Sequence, residues 1–222
     1  MTQLHAGVFV AFLIIGHSTG LAVAADRWTS DDGIVAITLP DSIEWIPIEN
    51  PPPPLLMAWE NEAGGARLAV VRSAFPAHIQ AMPQALQEGF LEEIGGKITK
   101  FEKREVNGHV VHVMTAETTQ DGHPMLVTQA VVQHGDHAYK AMALAANDDA
   151  SLVKAAEEFV ASLEVLATPV APPADDSQDE GDRFHRLSKR LGGWGVIALV
   201  VLLLLKRRRR SHPPATPART EP

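Results

Sequence analysis

Cysteine is absent from all 222 residues, which removes disulfides, thiolate nucleophiles and Cys-ligated zinc from consideration. Basic side chains are scarce in the middle of the chain. Between Asp26 and Ala167 nine Lys and Arg stand against twenty-one Asp and Glu, a net −12 that the whole-chain −8 conceals. A domain so acidic is repelled by nucleic acid and by anionic bilayer surfaces, which excludes both as partners of this part. Catalytic signatures are missing as well. "NEAGGAR" is no phosphate loop, because no Lys-Ser/Thr follows it. Neither H-x-x-x-H nor H-E-x-x-H occurs, and none of the serines between Ser30 and Ser162 lies in a G-x-S-x-G elbow. Aromatics make up 5%, and Trp28, Trp45 and Trp59 read as core residues before they read as a binding patch.

Long apolar runs are confined to the two ends. "AGVFVAFLII", Ala6 to Ile15, has the length of a secretory h-region and is too short to span a bilayer. "LAVAAD" follows, with Ala22 and Ala24 forming an A-x-A cleavage site before Ala25. The segment "MTQLH" lacks Lys and Arg, so an uncleaved N-terminal anchor is the alternative to a cleaved signal. "GHSTG", Gly16 to Gly20, matches the nucleophile elbow of serine hydrolases. It lies inside this targeting segment, with no fold around it to supply an oxyanion hole. At the other end, Leu191 to Leu205 carries no charged or strongly polar side chain, and Lys206 to Arg210 follow at once. Fifteen helical residues cover about 22 Å, and flanking basic side chains can snorkel to make up part of the remaining thickness. The expectation is a single-pass anchor with the basic tail cytoplasmic and the domain outside.

The expected organisation is a signal peptide over 1–24, one extracytoplasmic domain over 25–167, a Pro-rich then charged linker over 168–190, a transmembrane helix over 191–205 and a basic tail over 206–222. "DRWTS" and "IVAITLP" pair across "DDG"; "LLMAWE" and "ARLAVVRS" flank "NEAGG" as a hairpin. "MPQALQEGFLEEIGG" places Met82, Leu86, Phe90 and Ile94 at helical spacing with a Gly-Gly stop. Four strands follow as a meander, separated by "NG", "DGHP" and "HGDH". A closing helix aligns Leu152, Ala156, Phe159 and Leu163 behind Asp148-Asp149. The fold class is α+β: an antiparallel sheet of about eight strands with two packing helices.

The "DDG" turn, the strand ending "LP", Trp45, the middle helix, the meander and a closing helix ending "VASLEVL" resemble the PsbP-like sandwich. That fold is shared by the photosystem II extrinsic subunit, a Ran-binding nuclear-import factor and bacterial envelope proteins of the DcrB and LpqN type. The resemblance covers Asp26 to Ala167. It implies an extracytoplasmic domain that binds or stabilises partners, with no common catalytic residues to carry over. The Gly-Gly, apolar run and Arg cluster at the C-terminus also resemble bacterial Gly-Gly sorting anchors, although twelve residues follow the basic cluster here.

One constellation could carry chemistry. If Asp121-Gly122 and Gly135-Asp136 are two-residue turns, paired positions sum to 243 and 271. His109 then faces His134, and His134 faces His137, with neighbouring Cβ atoms about 5 Å apart. Three imidazoles beside Asp136 are a donor set for Zn²⁺ or Cu²⁺. Val111, Val113, Ala130, Val132 and Tyr139 would continue that face into the core. His112, Gln129, Gln133 and Lys140 would lie on the other face, toward solvent. The function expected is non-enzymatic: a membrane-anchored binding or scaffold protein, its partner a protein or small ligand, with divalent-metal binding or sensing as the alternative.

Overall fold

The computed structural model describes residues 26–76, 81–170, 185–186 and 188–190. The expected signal segment, membrane anchor, tail and most of the linker lie outside them. Among the described residues no helix is long and apolar enough to cross a membrane.

The described chain opens with a hairpin, β1 Arg27–Thr29 and β2 Val35–Thr38, paired as Arg27↔Thr38 to Thr29↔Ala36. Gly33 turns it with φ 68°, a left-handed value that a glycine adopts without strain. Next come β3 Trp45–Pro47, β4 Leu55–Asn61 and β5 Ala66–Ala74, then helix α1 Pro83–Ile94. The meander is β6 Lys97–Val106, β7 His109–Gln120, β8 His123–His134 and β9 His137–Ala146, followed by helix α2 Ala150–Ala161 and the short β10 Glu164–Val165. Residues 185–186 and 188–190 are also helical.

The meander's register is the expected one. Val111↔Val132 and Gln120↔His123 keep the sum of 243, and His134↔His137 and Met125↔Ala146 keep 271. Asn107-Gly108 and Asp121-Gly122 hold positive φ at both turn positions, the requirement of a tight type I′ hairpin. A two-residue turn fixes which side chains face each other, so the pattern in the strands follows from the turn chemistry.

Instead of one sheet of about eight strands, ten strands among the described residues form two sheets. β1-β2-β10 make a three-stranded sheet, and β3-β4-β5-β9-β8-β7-β6 a seven-stranded one. β3 and β10 have only three and two residues, too few for a periodicity to show. β10 adds to β2 by Glu164↔Ala36 and Val165↔Val35, so the end of the domain closes against its beginning.

The large sheet is covered on both faces. On one, α2 and the small sheet bury Val35, Ile37, Trp59, Leu68, Val70, Val111, Val132, Phe159 and Val165. Trp59 packs edge-on against Trp28 and Phe159, with ring centroids 6.1 and 5.9 Å apart. On the other, α1 lays Leu86 and Phe90 against Ala69, Val71, Met114, Val127, Val131 and Met142. Helix ends are satisfied locally. Asp149 accepts from the backbone N–H groups of Ser151 and Leu152 at the start of α2. Arg104 of β6 donates to the carbonyls of Val160 and Ala161 at its end. α1 stops at Gly95, which is left-handed at φ 61°. The outer strand β6 carries Lys97, Lys100, Glu102, Lys103 and Glu105, charges that discourage edge-to-edge pairing.

Candidate functional site

The turns Asn107-Gly108 and Gly135-Asp136 lie at the same end of the large sheet, because β6, β8 and their neighbours alternate in direction. That end collects the expected histidines. His109 opens β7, His134 closes β8 and His137 opens β9. His109 Nε2 and His134 Nδ1 lie 3.1 Å apart, a hydrogen bond between rings whose centroids are separated by 5.4 Å. His137 turns to the neighbouring carboxylate instead, with Nδ1 2.6 Å from Asp136 Oδ1. The structure thus brings two of the three rings into contact and ties the third to its turn. Among the described residues no group of three or more His, Asp and Glu is gathered as a metal would require. Burial lowers the pKa of His109, the nearby His134 adds to the shift, and hydrogen bonds with the Asn107 and Val106 backbone oppose it.

Two residues along β9 from His137 stands Tyr139, on the same face, its ring centroid 6.5 Å away. Its hydroxyl donates to Asp32 Oδ2 at 2.6 Å. Arg72, the cross-strand partner of Tyr139 on β5, donates to the same oxygen at 2.9 Å. Ser30 Oγ and the Ile34 N–H complete the set on Asp32 Oδ1. Burial by itself raises the Asp32 pKa, but hydrogen bonds from Ser30, Tyr139, Ile34 and Arg72 outweigh it and hold it at about 2. Burial pushes Tyr139 up to about 12, with the Asp32 carboxylate adding to the shift. Asp32 therefore fastens the β1–β2 turn of the small sheet to the large one. Sequence reading found "DDG" as a turn and missed this role, since its partners lie 40 and 107 positions away.

The opposite face departs from expectation. His112, Gln129 and Lys140 are buried and Gln133 is half-buried, where a solvent-facing row was expected. The reason is α1, which covers that face with Leu86 and Phe90 and leaves water no access to the middle of the sheet. Lys140 is wholly buried, and its Nζ meets no hydrogen-bond acceptor among the described residues. Burial drives its pKa down to about 8, with Glu93 of α1 pulling the other way. His112 stacks on Phe101 at 5.9 Å; burial and the charge of Lys103 lower its pKa. An amine held near pH 8 exchanges its proton close to physiological pH. One signal in the sequence could have exposed it. Lys140 is the single charge in the alternate row Ala138, Met142 and Leu144 of β9, a row otherwise fit for a core.

No family model matches the chain, and no curated protein does. Solved structures are similar to it in fold. Cyanobacterial PsbP (CyanoP) from Synechocystis sp. PCC 6803 shares 15% identity over 68% of this chain and 98% of that one, with a TM-score of 0.49. LpqN of Mycobacterium tuberculosis, described as involved in cell envelope biogenesis, shares 14% over 66% of this chain and 88% of that one, at 0.47.

Two predictions follow from these networks. Asp32 has a folded pKa of about 2 against 3.8 for the free group, so its stabilising effect is present above pH 3.8 and is lost as the pH falls toward 2. Asp32→Asn should lower stability at pH 7 by about 1–3 kcal/mol and flatten the acid limb of a urea-melt pH series. The Lys140 pKa is lowered too, to about 8 against 10.5, but here the shift marks a penalty on the charged form at pH 7, so stability should rise as the pH climbs from 8 to 10.5 and that penalty is relieved. Lys140→Met should raise the melting temperature at pH 7 and abolish that rise, because an apolar side chain there costs no desolvation of charge.

Proposed function

We propose that this protein is a membrane-anchored, extracytoplasmic binding or scaffold domain that performs no catalysis. The observation that carries the reading is the arrangement of charge and hydropathy along the chain. An acidic domain is bracketed by an apolar targeting segment and by the uncharged run Leu191 to Leu205, which Lys206 to Arg210 close. Such a run followed at once by five basic residues stops transfer and keeps the tail cytoplasmic. The rim at the Gly135 end supports a binding role. Asp136 and His137 are solvent-accessible there, beside the Tyr139–Asp32–Arg72 network, so hydrogen-bonding groups from strands and tight turns gather at one rim. With a net −12 over Asp26 to Ala167, a partner or ligand bearing positive charge is favoured electrostatically.

The test is fractionation with topology. A chain tagged at the C-terminus should resist carbonate extraction, and protease added outside the membrane should digest the domain while leaving the tag intact. A full-length chain that keeps Met1 and stays in the soluble cytosolic fraction would overturn the proposal.

A second reading is divalent-metal binding at His109, His134 and His137, with Zn²⁺ or Cu²⁺ as the ion. What favours it is the 3.1 Å approach of His109 and His134 with His137 directly across the next turn. It requires His137 to exchange Asp136 for the ion. Titration with Zn²⁺ followed by imidazole NMR should shift all three rings together if the reading holds; unmoved rings at equimolar metal remove it.

A further inference from the structure

Helix α1 reads PQALQEGFLEEI, with Glu88, Glu92 and Glu93 and no basic residue. Its N-cap residue, Met82, has no side chain able to cap it. Yet the Met82 N–H donates at 3.1 Å to Ser188 Oγ, 106 positions later in the chain. Ser188 is fully buried, and it satisfies from a distance the N-cap residue's own N–H, the role of the N3 side chain in a capping box. Two ion pairs flank it: His185 Nε2 lies 3.1 Å from Glu88 Oε2, and Lys189 Nζ meets Glu92. The backbones themselves touch. A Cβ at Gly89 would overlap the Lys189 carbonyl, so only glycine admits this approach. A mid-helix glycine costs roughly 1 kcal/mol of intrinsic helix stability relative to alanine, and the close contact accounts for its place here. Shape, capping and charge thus agree, and they do so for a segment next to the run Leu191 to Leu205.

We infer that the outer side of α1 is the docking face for the chain's own juxtamembrane segment, through residues 185–186 and 188–190. This clasp holds the domain with α1 turned toward the membrane, where a free tether would let it swing. The orientation rests on the anchoring proposed above; the clasp itself does not. The acidic helix, which an anionic bilayer would repel by itself, meets basic side chains of the segment that leads to the anchor. The three-stranded sheet, on the far side of the large sheet from α1, then faces away from the lipid, leaving that side clear for a partner.

The absence of cysteine makes the test clean. In the full-length chain in native membranes, Glu88→Cys and His185→Cys introduce its only thiols, and a short bismaleimide should join them within the chain in most molecules. The control pair Asp148→Cys with His185→Cys should not join. Adding Glu92→Lys should cut the yield severalfold, and adding Lys189→Glu to that variant should restore it. Gly89→Leu should also lower the yield; because it risks disturbing α1, the charge reversal and rescue decide. A Glu88–His185 yield no higher than the control's, or one indifferent to Glu92→Lys, overturns the clasp. Efficient joining in a chain that proves soluble keeps the clasp and removes the anchor. A membrane-bound chain that fails to join does the reverse.

Discussion

Strand β9 is buried on both faces, and the rest of the fold answers to that constraint. It lies between β5 and β8 in the large sheet, and residues 138–145 are buried along its length. A strand in this position needs a layer on each side. α2 and the small sheet supply one, with Phe159 and Ile37; α1 supplies the other, with Leu86 and Phe90. Alternate residues of one strand therefore serve two different cores. Tyr139 belongs to the first and binds Asp32, whereas Lys140 belongs to the second and finds no hydrogen-bond acceptor among the described residues.

The two faces differ in how they treat polar groups. On the α2 side Asp32 gathers four donors, and Thr115 and Thr128 pair their hydroxyls at 3.1 Å, while His109 Nδ1 lacks a hydrogen bond among the described residues. Such a network fixes the small sheet's position on the large one. Under α1 the polar side chains are less well served, since the Lys140 amine and His112 Nδ1 lack hydrogen bonds among the described residues. The α1 layer accordingly carries the larger desolvation cost, that of a buried amine. The contacts of residues 185–186 and 188–190 with the outer side of α1 act in the opposite direction, tying down the layer with the poorer interior.

Much of this was legible from spacing. The turns Asn107-Gly108, Asp121-Gly122 and Gly135-Asp136 set the meander and its register, so His109 and His134 could be placed opposite each other from the chain alone. Helix limits were legible too, from Pro83, Gly95 and Asp149, because caps and breakers act over a few residues. The short strands β3 and β10 were not, since they owe their existence to the neighbours they meet. Neither was the burial of His112, Gln129 and Lys140: alternation shows that they share a face, but only a layer packed from elsewhere decides whether that face is wet.

By itself, then, the sequence determined the elements, the hairpin pairings, the acidic character of the domain and the two apolar segments at its ends, since each depends on residues near one another in the chain. Tertiary structure alone decided that Asp32 binds Tyr139 and Arg72, that α1 seals Lys140 from water, and that Ser188 accepts from the Met82 N–H. Those contacts join residues 40 to 107 positions apart. No local pattern encodes them, because they arise only when separate layers are brought into van der Waals contact.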